Sequence, residues 1–267
     1  LSHSQRMGDG KVRFEQSDLL DSRRLAQVVD EVDVVYHLAA RATTPFSDLD
    51  AHFFEQTNNW GTAELVYAVE ASGRPRRFIY TSSASVYGSV DEAADESTTP
   101  APQAFYSASK RRGEEHVERL AEKLETSIVR LGTIHGYSPG IRFDTVVNRF
   151  AFDAHFHGRV TIHGSGHQQR TFIHVDHAVT ALLSLLEVGA PMGITNLCER
   201  NVSVLDIVDA LQQIRPGLEF IFINQHLRMR ELRVDPDSRL QRHVQLPKRD
   251  FGQELAELQQ RFAFSPG

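Results

Sequence analysis

A single cysteine, Cys198, stands among 267 residues, which excludes an internal disulfide framework and favours a reducing compartment. Long apolar runs are missing as well. No stretch of 18 apolar residues occurs and no signal-peptide pattern opens the chain, so no transmembrane helix is expected. Basic residues are outnumbered, 29 Lys and Arg against 35 Asp and Glu, for a net charge of −6. Neutralising a phosphate backbone needs a basic surface, so a general nucleic-acid binder is excluded. These absences point to a cytoplasmic protein with neither membrane nor nucleic acid as a partner. Glycine-rich fingerprints are also lacking. No Gly-x-Gly-x-x-Gly or Gly-x-x-Gly-x-x-Gly occurs, so this sequence does not carry the turn that holds a pyrophosphate at a helix N-terminus.

What is present is a 40% hydrophobic content, enough for the core of one large or two coupled domains. Strand-like runs at 12–16, 33–38, 77–81 and 127–131 alternate with helical segments near 22–30, 49–72 and 104–124, the pattern of parallel α/β layers. Turn residues at Gly136-Tyr137-Ser138-Pro139-Gly140 mark a change of character. Beyond them a helix over 144–157, a Gly-rich region at 164–166 and a segment at 203–213 would build a smaller lobe. Ser203 and Asp206 form a variant capping box before that last segment. Cys198, Trp60 and the phenylalanines are read as packing residues.

The most informative pair is Tyr106 and Lys110, four residues apart at the start of a helical stretch and so on one helix face. An ammonium at that spacing is expected to lower a phenol that ordinarily titrates near about pH 10, making a usable acid or base. Upstream, the apolar run Arg77-Phe78-Ile79-Tyr80 ends in Thr81-Ser82-Ser83-Ala84-Ser85-Val86-Tyr87-Gly88. That reads as a buried strand delivering Ser82 and Ser83 to the carboxyl edge of a sheet, where open α/β sheets place ligands.

Ser83, Tyr106 and Lys110 together resemble the catalytic triad of the short-chain dehydrogenase/reductase superfamily. The wording around them is similar to its extended branch, the NAD-dependent nucleotide-sugar epimerases and dehydratases of the UDP-glucose 4-epimerase-like kind. Further segments agree in order and spacing: Val12 to Asp21, Val34 to Ala40, Asn58-Asn59-Trp60-Gly61-Thr62, Arg130 to Gly136, and Gly164 to Asp176. The resemblance implies an α/β fold: a Rossmann-like, doubly wound parallel sheet over 1–135, with a smaller C-terminal substrate lobe over 136–267. Residues 171–190 are expected to return to the main domain. It also implies that the first β-α-β unit of the fold is missing from this chain, which is then expected to be a trimmed form. NAD is the implied cofactor, with NADP left open. Its contacts would be Asp18, Leu19, Leu38, Ala39, Ala40, Asn58 and Ser82 together with Tyr106 and Lys110.

For a nucleotide-diphosphate sugar the resemblance implies contacts from Ser83, Thr133, Asn148 and Arg170, with Arg149 nearby and the Arg170 guanidinium on the diphosphate. Thr133 stands where the family has Asn, and His135 where it has Tyr. Tyr106 would move the sugar hydroxyl proton, Lys110 would stabilise the phenolate, and Ser83 would bond the reacting oxygen. In the 4,6-dehydratases an Asp-Glu pair performs the elimination. Here Ala84 and Ser85 occupy those positions, so epimerisation through a 4-keto intermediate is the first reading. A keto-sugar reductase and a non-catalytic binding protein remain the alternatives. A homodimer through the helices at 49–72 and 104–124 is the implied assembly. Arg228, Arg230 and Arg233 read as a charged surface. His155, His157, His163, His167, His174 and His177 invite a metal, but no His-Glu-x-x-His or Cys-x-x-Cys framework accompanies them, so none is expected.

Overall fold

In the computed structural model, residues 12–42, 51–226 and 229–262 are described. Helix α1 (Ser22–Val29) is opened by Asp21, whose carboxylate accepts from the Arg24 N–H at 3.0 Å. Strand β1 (Val34–His37) follows. Helix α2 (Ala51–Phe54) continues through a π-helical segment, Glu55–Trp60, into α3 (Gly61–Ser72). Strand β2 (Arg77–Ser83) ends in a 3-10 turn, Ala84–Tyr87, and helix α4 (Phe105–Glu118) ends in another, Arg119–Glu122. Strands β3 (Glu125–Leu131) and β4 (Thr133–His135) are separated by Gly132 alone. The rest comprises α5 (Val146–Phe156), β5 (Arg159–His163), β6 (Gln169–His174), α6 (Val175–Ser184), β7 (Gly193–Leu197), β8 (Arg200–Ser203), α7 (Val204–Ile214), β9 (Glu219–Ile223), α8 (Arg239–Val244) and α9 (Phe251–Arg261). Ser203 and Asp206 make the reciprocal cap of α7, at 3.1 and 2.7 Å.

The parallel α/β layering expected from the alternation is found. Strands β1, β2, β3 and β7 form one parallel sheet in that order. Successive residues of a strand point to opposite faces, and here both faces are covered. Phe78, Tyr80 and Ile128 pack with Leu25, Val66, Val69 and Val117 from α1, α3 and α4, whereas Ile79 and Val129 pack with Ala178, Ala181 and Leu240 from α6 and α8. Burial on both sides explains why β2 and β3 lack a polar alternation. The later half of the chain thus gives the main sheet a strand at 193–197 and covers it with α6. A second core lies among α5, α7, α9 and β5, around Phe150, Ile162, Phe172, Ile207 and Leu255. Strand β6 pairs in parallel with β4 and antiparallel with β8, and β5 pairs with β9.

Two expectations are corrected. The run 12–16 forms no strand, and Val12 and Phe14 are exposed; a strand needs a ladder partner, and among the described residues β1 pairs with β2 alone. Trp60 is not a core residue but 58% exposed. The start of the helix expected over 49–72 falls outside the described residues. No helix among the described residues is long and apolar enough to cross a membrane.

Close approach of α4 to β2 depends on Gly113. A Cβ there would meet the Tyr80 hydroxyl at 2.3 Å and the Asn58 carbonyl oxygen at 3.0 Å. Gly113→Ala is therefore expected to cost roughly 1–3 kcal/mol, as overpacking of a close-packed interior does, measured by urea unfolding of both proteins. An unchanged midpoint would show that the helix can move away freely.

Candidate active site

The carboxyl ends of β1, β2 and β3 open into a cleft of about 560 Å³, closed by α4 on one side and by the segment 136–148 on the other. Ligands of open α/β sheets bind at this edge. Ser83, Tyr106 and Lys110 all line it, and its other charged lining residue is Arg142; among the described lining residues there is no Asp or Glu.

Ser83 ends β2 and caps the following 3-10 turn. Its Oγ accepts from the Ser85 N–H at 3.2 Å and lies 2.9 Å from the Ser85 Oγ. Tyr106 is half-buried, with its ring edge toward Phe54 at 6.2 Å between centroids. Burial raises the Tyr106 phenol above its ordinary value, opposed by a hydrogen bond with Ser83 and by the charge of Arg142. Lys110 is 2% exposed, and its Nζ sits over the Tyr80 ring, 4.2 Å from the centroid. Burial lowers its amine to about 7, with Glu114 pulling the other way. The expected depression of Tyr106 by Lys110 is thus not what the geometry gives. The ammonium faces Tyr80, and desolvation dominates the phenol.

Beneath these groups lies a pair that the sequence reading did not single out. Arg130 on β3 donates through Nε and Nη2 to the two oxygens of Glu114 on α4, at 2.9 and 2.8 Å, and both side chains are buried. Ser82 Oγ donates to the same carboxylate at 2.5 Å. The guanidinium also lies over the Tyr87 ring, whose hydroxyl donates to Asn196 at 2.8 Å. A signal was available: an acid one turn past Lys110, and an arginine inside a strand otherwise fit for burial on both faces.

The other site residues divide. Leu38, Ala40, Ser82, Thr133 and Asn148 line the cleft, whereas Asp18, Leu19, Ala39, Asn58 and Arg170 do not. Ser82 points its hydroxyl away, into Glu114. Asn58 uses its amide elsewhere, accepting from the Arg41 N–H at 2.7 Å and donating to the Arg41 carbonyl and the Ser109 hydroxyl. Asn148 braces the cleft wall, accepting from the Gly136 N–H at 3.2 Å and donating to the Arg142 carbonyl at 3.0 Å. Gly136 has φ 105°, and a Cβ there would meet His174 Nε2 at 2.6 Å. Arg170 donates to the Gln169 and Arg230 carbonyls, because its place on β6 directs it to the 229–233 segment. Asp18 closes a turn by accepting from the Leu20 N–H at 2.9 Å, and Leu19 packs with the α1–α3 core. Arg149 pairs with Asp153 on the surface at 2.7 Å. Arg228 lies outside the described residues. Buried His37 contacts the Thr62 hydroxyl at 2.9 Å; that hydroxyl gives its proton to the Asn58 carbonyl, so His37 Nε2 is the donor. Among the described residues no three His, Cys, Asp or Glu are placed to hold a metal ion.

A doubly covered parallel sheet with its cleft at the strand ends defines the Rossmann-like class of α/β proteins. Within that class, the chain belongs to the NAD dependent epimerase/dehydratase family, whose profile matches residues 2–198. The dTDP-D-glucose 4,6-dehydratase of Mus musculus is 32% identical over 206 residues, which are 76% of this chain and 58% of that protein. The match therefore spans less than two thirds of that relative's length. Among solved structures, MoeE5 in complex with UDP-glucuronic acid and NAD superposes with a TM-score of 0.81 at 26% identity, covering 93% of this chain and 84% of that one. UDP-glucuronic acid 4-epimerase from Bacillus cereus, in complex with UDP-glucuronic acid and NAD, gives 0.85 at 24% identity, covering 97% and 83%; at that identity the likeness is one of fold.

Burying Lys110 has a consequence for stability. Its amine titrates near 7 in the folded chain and near about 10.4 when unfolded, so between those values the unfolded state binds more protons and folding strengthens as pH rises. The stability of wild type relative to Lys110→Met is expected to climb by a few kcal/mol, roughly, across that window, read from urea unfolding at several pH values. A difference that stays flat would mean the amine is solvated.

Proposed function

We propose that this chain is the catalytic part of an NAD-dependent nucleotide-sugar epimerase acting through a transient 4-keto sugar. The observation that carries the reading is a cleft in which Ser83, Tyr106 and Lys110 converge and which no carboxylate lines among the described residues. Water elimination, the reaction of the 4,6-dehydratases among the relatives, needs an acid and a base beside the reacting carbons. The two positions after Ser83 hold Ala84, buried and apolar, and Ser85, whose hydroxyl is engaged with Ser83.

NAD fits the near end of the cleft, where Leu38 and Ala40 line the wall beside Tyr106 and the Lys110 ammonium; when bound it supplies a reversible hydride acceptor. Tyr106 takes the proton of the sugar 4-hydroxyl as the carbon is oxidised and returns one when the other face is reduced. Ser83 donates to the same oxygen, and Lys110 stabilises the phenolate. Thr133 and Asn148 border the sugar, and Arg142, rather than Arg170, presents a guanidinium to an anionic part of the ligand. In this reading residues 1–135 hold the cofactor and 136–267 hold mainly the sugar, with α6 and β7 returned to the main sheet.

With NAD and a panel of UDP-, dTDP-, GDP- and CDP-sugars, anomeric proton NMR is expected to reveal a C4 epimer and no net accumulation of reduced cofactor. Tyr106→Phe should lose roughly 100-fold or more of that rate while keeping sugar affinity. A 4-keto-6-deoxy product would overturn the epimerase reading in favour of dehydration.

The proposed assembly is a homodimer through α2, α3 and α4. Phe53, Trp60 and Tyr67 recur every seven residues and are 49%, 58% and 46% exposed, with Phe105 of α4 at 50%. Such a stripe is the kind of apolar patch that marks an interface. Trp60→Glu is expected to halve the mass seen by light scattering; a wild-type monomer at micromolar concentration would exclude the dimer.

A further inference from the structure

We infer that Glu114 is a positioning residue for the proton transfer at this site: its carboxylate ties α4 to the ends of β2 and β3 and presents the negative charge that faces the Lys110 ammonium. The inference rests on the proposed epimerase reading for its kinetic consequence, but its electrostatic content can be read without turnover.

The geometry carries it. Glu114 follows Lys110 by one helical turn and Tyr106 by two, so the three side chains share one face of α4. One carboxylate oxygen accepts from Ser82 Oγ at 2.5 Å and Arg130 Nε at 2.9 Å, and the other from Arg130 Nη2 at 2.8 Å and Arg111 Nη1 at 3.1 Å. Ser82 is the chain neighbour of Ser83. One fully buried side chain therefore sets the distance between the strand that carries the serine and the helix that carries the tyrosine and lysine. A buried ion pair is not required for stability, since apolar groups of similar volume often replace one at no loss. Its use here is one of position and charge.

The groups facing Lys110 can be named element by element. From α4 come Tyr106 and Glu114; from β1, His37, which burial and the Lys110 charge lower to about 3 and which is neutral. From β2 comes Tyr80, whose phenol burial raises, and from β3 comes Arg130, already engaged by Glu114. Asn58, bonded to Ser109 from the π-helical segment, is uncharged. Among these described residues Glu114 is the only anion, and its charge favours the protonated lysine. The productive arrangement, phenolate beside ammonium, has the same proton count as phenol beside amine. Weakening the hold of Lys110 on its proton therefore depletes the productive form by about tenfold for each pH unit.

Four lysines, Lys11, Lys110, Lys123 and Lys248, occur in the chain, so 13C labelling at the ε carbon gives a tractable titration, with Lys110 assigned through Lys110→Arg. In Glu114→Gln the Lys110 midpoint is expected to fall by about one pH unit or more. On the sugar that wild type converts, kcat should fall about tenfold for each unit with KM nearly unchanged, and the rising limb of the kcat profile should move to lower pH. A purely structural lesion would lower activity without that acid shift. A folded Glu114→Gln whose Lys110 midpoint and pH limb match wild type overturns the inference. If that variant fails to fold, the apolar pair Glu114→Met with Arg130→Met takes its place and is read in the same way. Wild type that converts no sugar, while the Lys110 midpoint still falls in the variant, sinks the epimerase reading and leaves the electrostatic role of Glu114 standing.

Discussion

The pairing of Arg130 with Glu114 is the constraint on which the arrangement of the cleft depends. Two charges cannot leave water for the middle of an α/β sandwich unless each meets the other and every remaining donor and acceptor is occupied. Here Ser82 and Arg111 complete the carboxylate, and the Tyr87 ring covers the guanidinium. The demand fixes the rotation of α4 about its axis, because Glu114 must point at β3. Once that rotation is set, Lys110 and Tyr106, lying earlier on the same face, are brought to the carboxyl end of the sheet where Ser83 waits. Gly113, beside the glutamate, lets the helix come close enough for the contact to form.

Much of this was legible beforehand. The alternation of strand and helix, the boundary near Gly136 and the cap at Ser203 are local features, written in turn residues and periodicity, and they appear where the residues place them. The convergence of Ser83, Tyr106 and Lys110 was legible because helical spacing and strand direction are short-range rules. What was not legible depends on partners distant in sequence. The run 12–16 has the composition of a strand, but a strand exists only as part of a ladder, and composition cannot supply the neighbour. Asn58 and Arg170 have side chains apt for a ligand, yet each lies beside unpaired backbone groups, of Arg41 in one case and of Arg230 in the other, and bonds to those. The direction of the Tyr106 shift was misjudged for a related reason. Spacing along a helix gives proximity, whereas the Lys110 ammonium had a nearby aromatic face to occupy.

The chemistry of the cleft separates this chain from the relatives that it resembles most in sequence. Sequence identity near a third reaches dTDP-D-glucose 4,6-dehydratase, yet the lining residues described here offer hydroxyls, backbone groups and two cations rather than carboxylic acids. A family scaffold holds the cofactor side of the reaction constant, and the fate of the oxidised sugar is decided by a few residues after the serine. Overall similarity is a poor guide to that fate, because a pair of positions carries little weight in a score summed over two hundred.

Gly132, the one residue between β3 and β4, joins the main sheet to the sheet that bears the opposite wall of the cleft. Its N–H donates to the Leu197 carbonyl at 2.9 Å, and a Cβ on it would meet Phe172 N and Cys198 Cβ at 3.3 Å. A joint so short and so crowded leaves little freedom to swing. The two walls behave as one solid piece, so discrimination among sugars rests on a preformed mould rather than on a jaw that shuts around its guest.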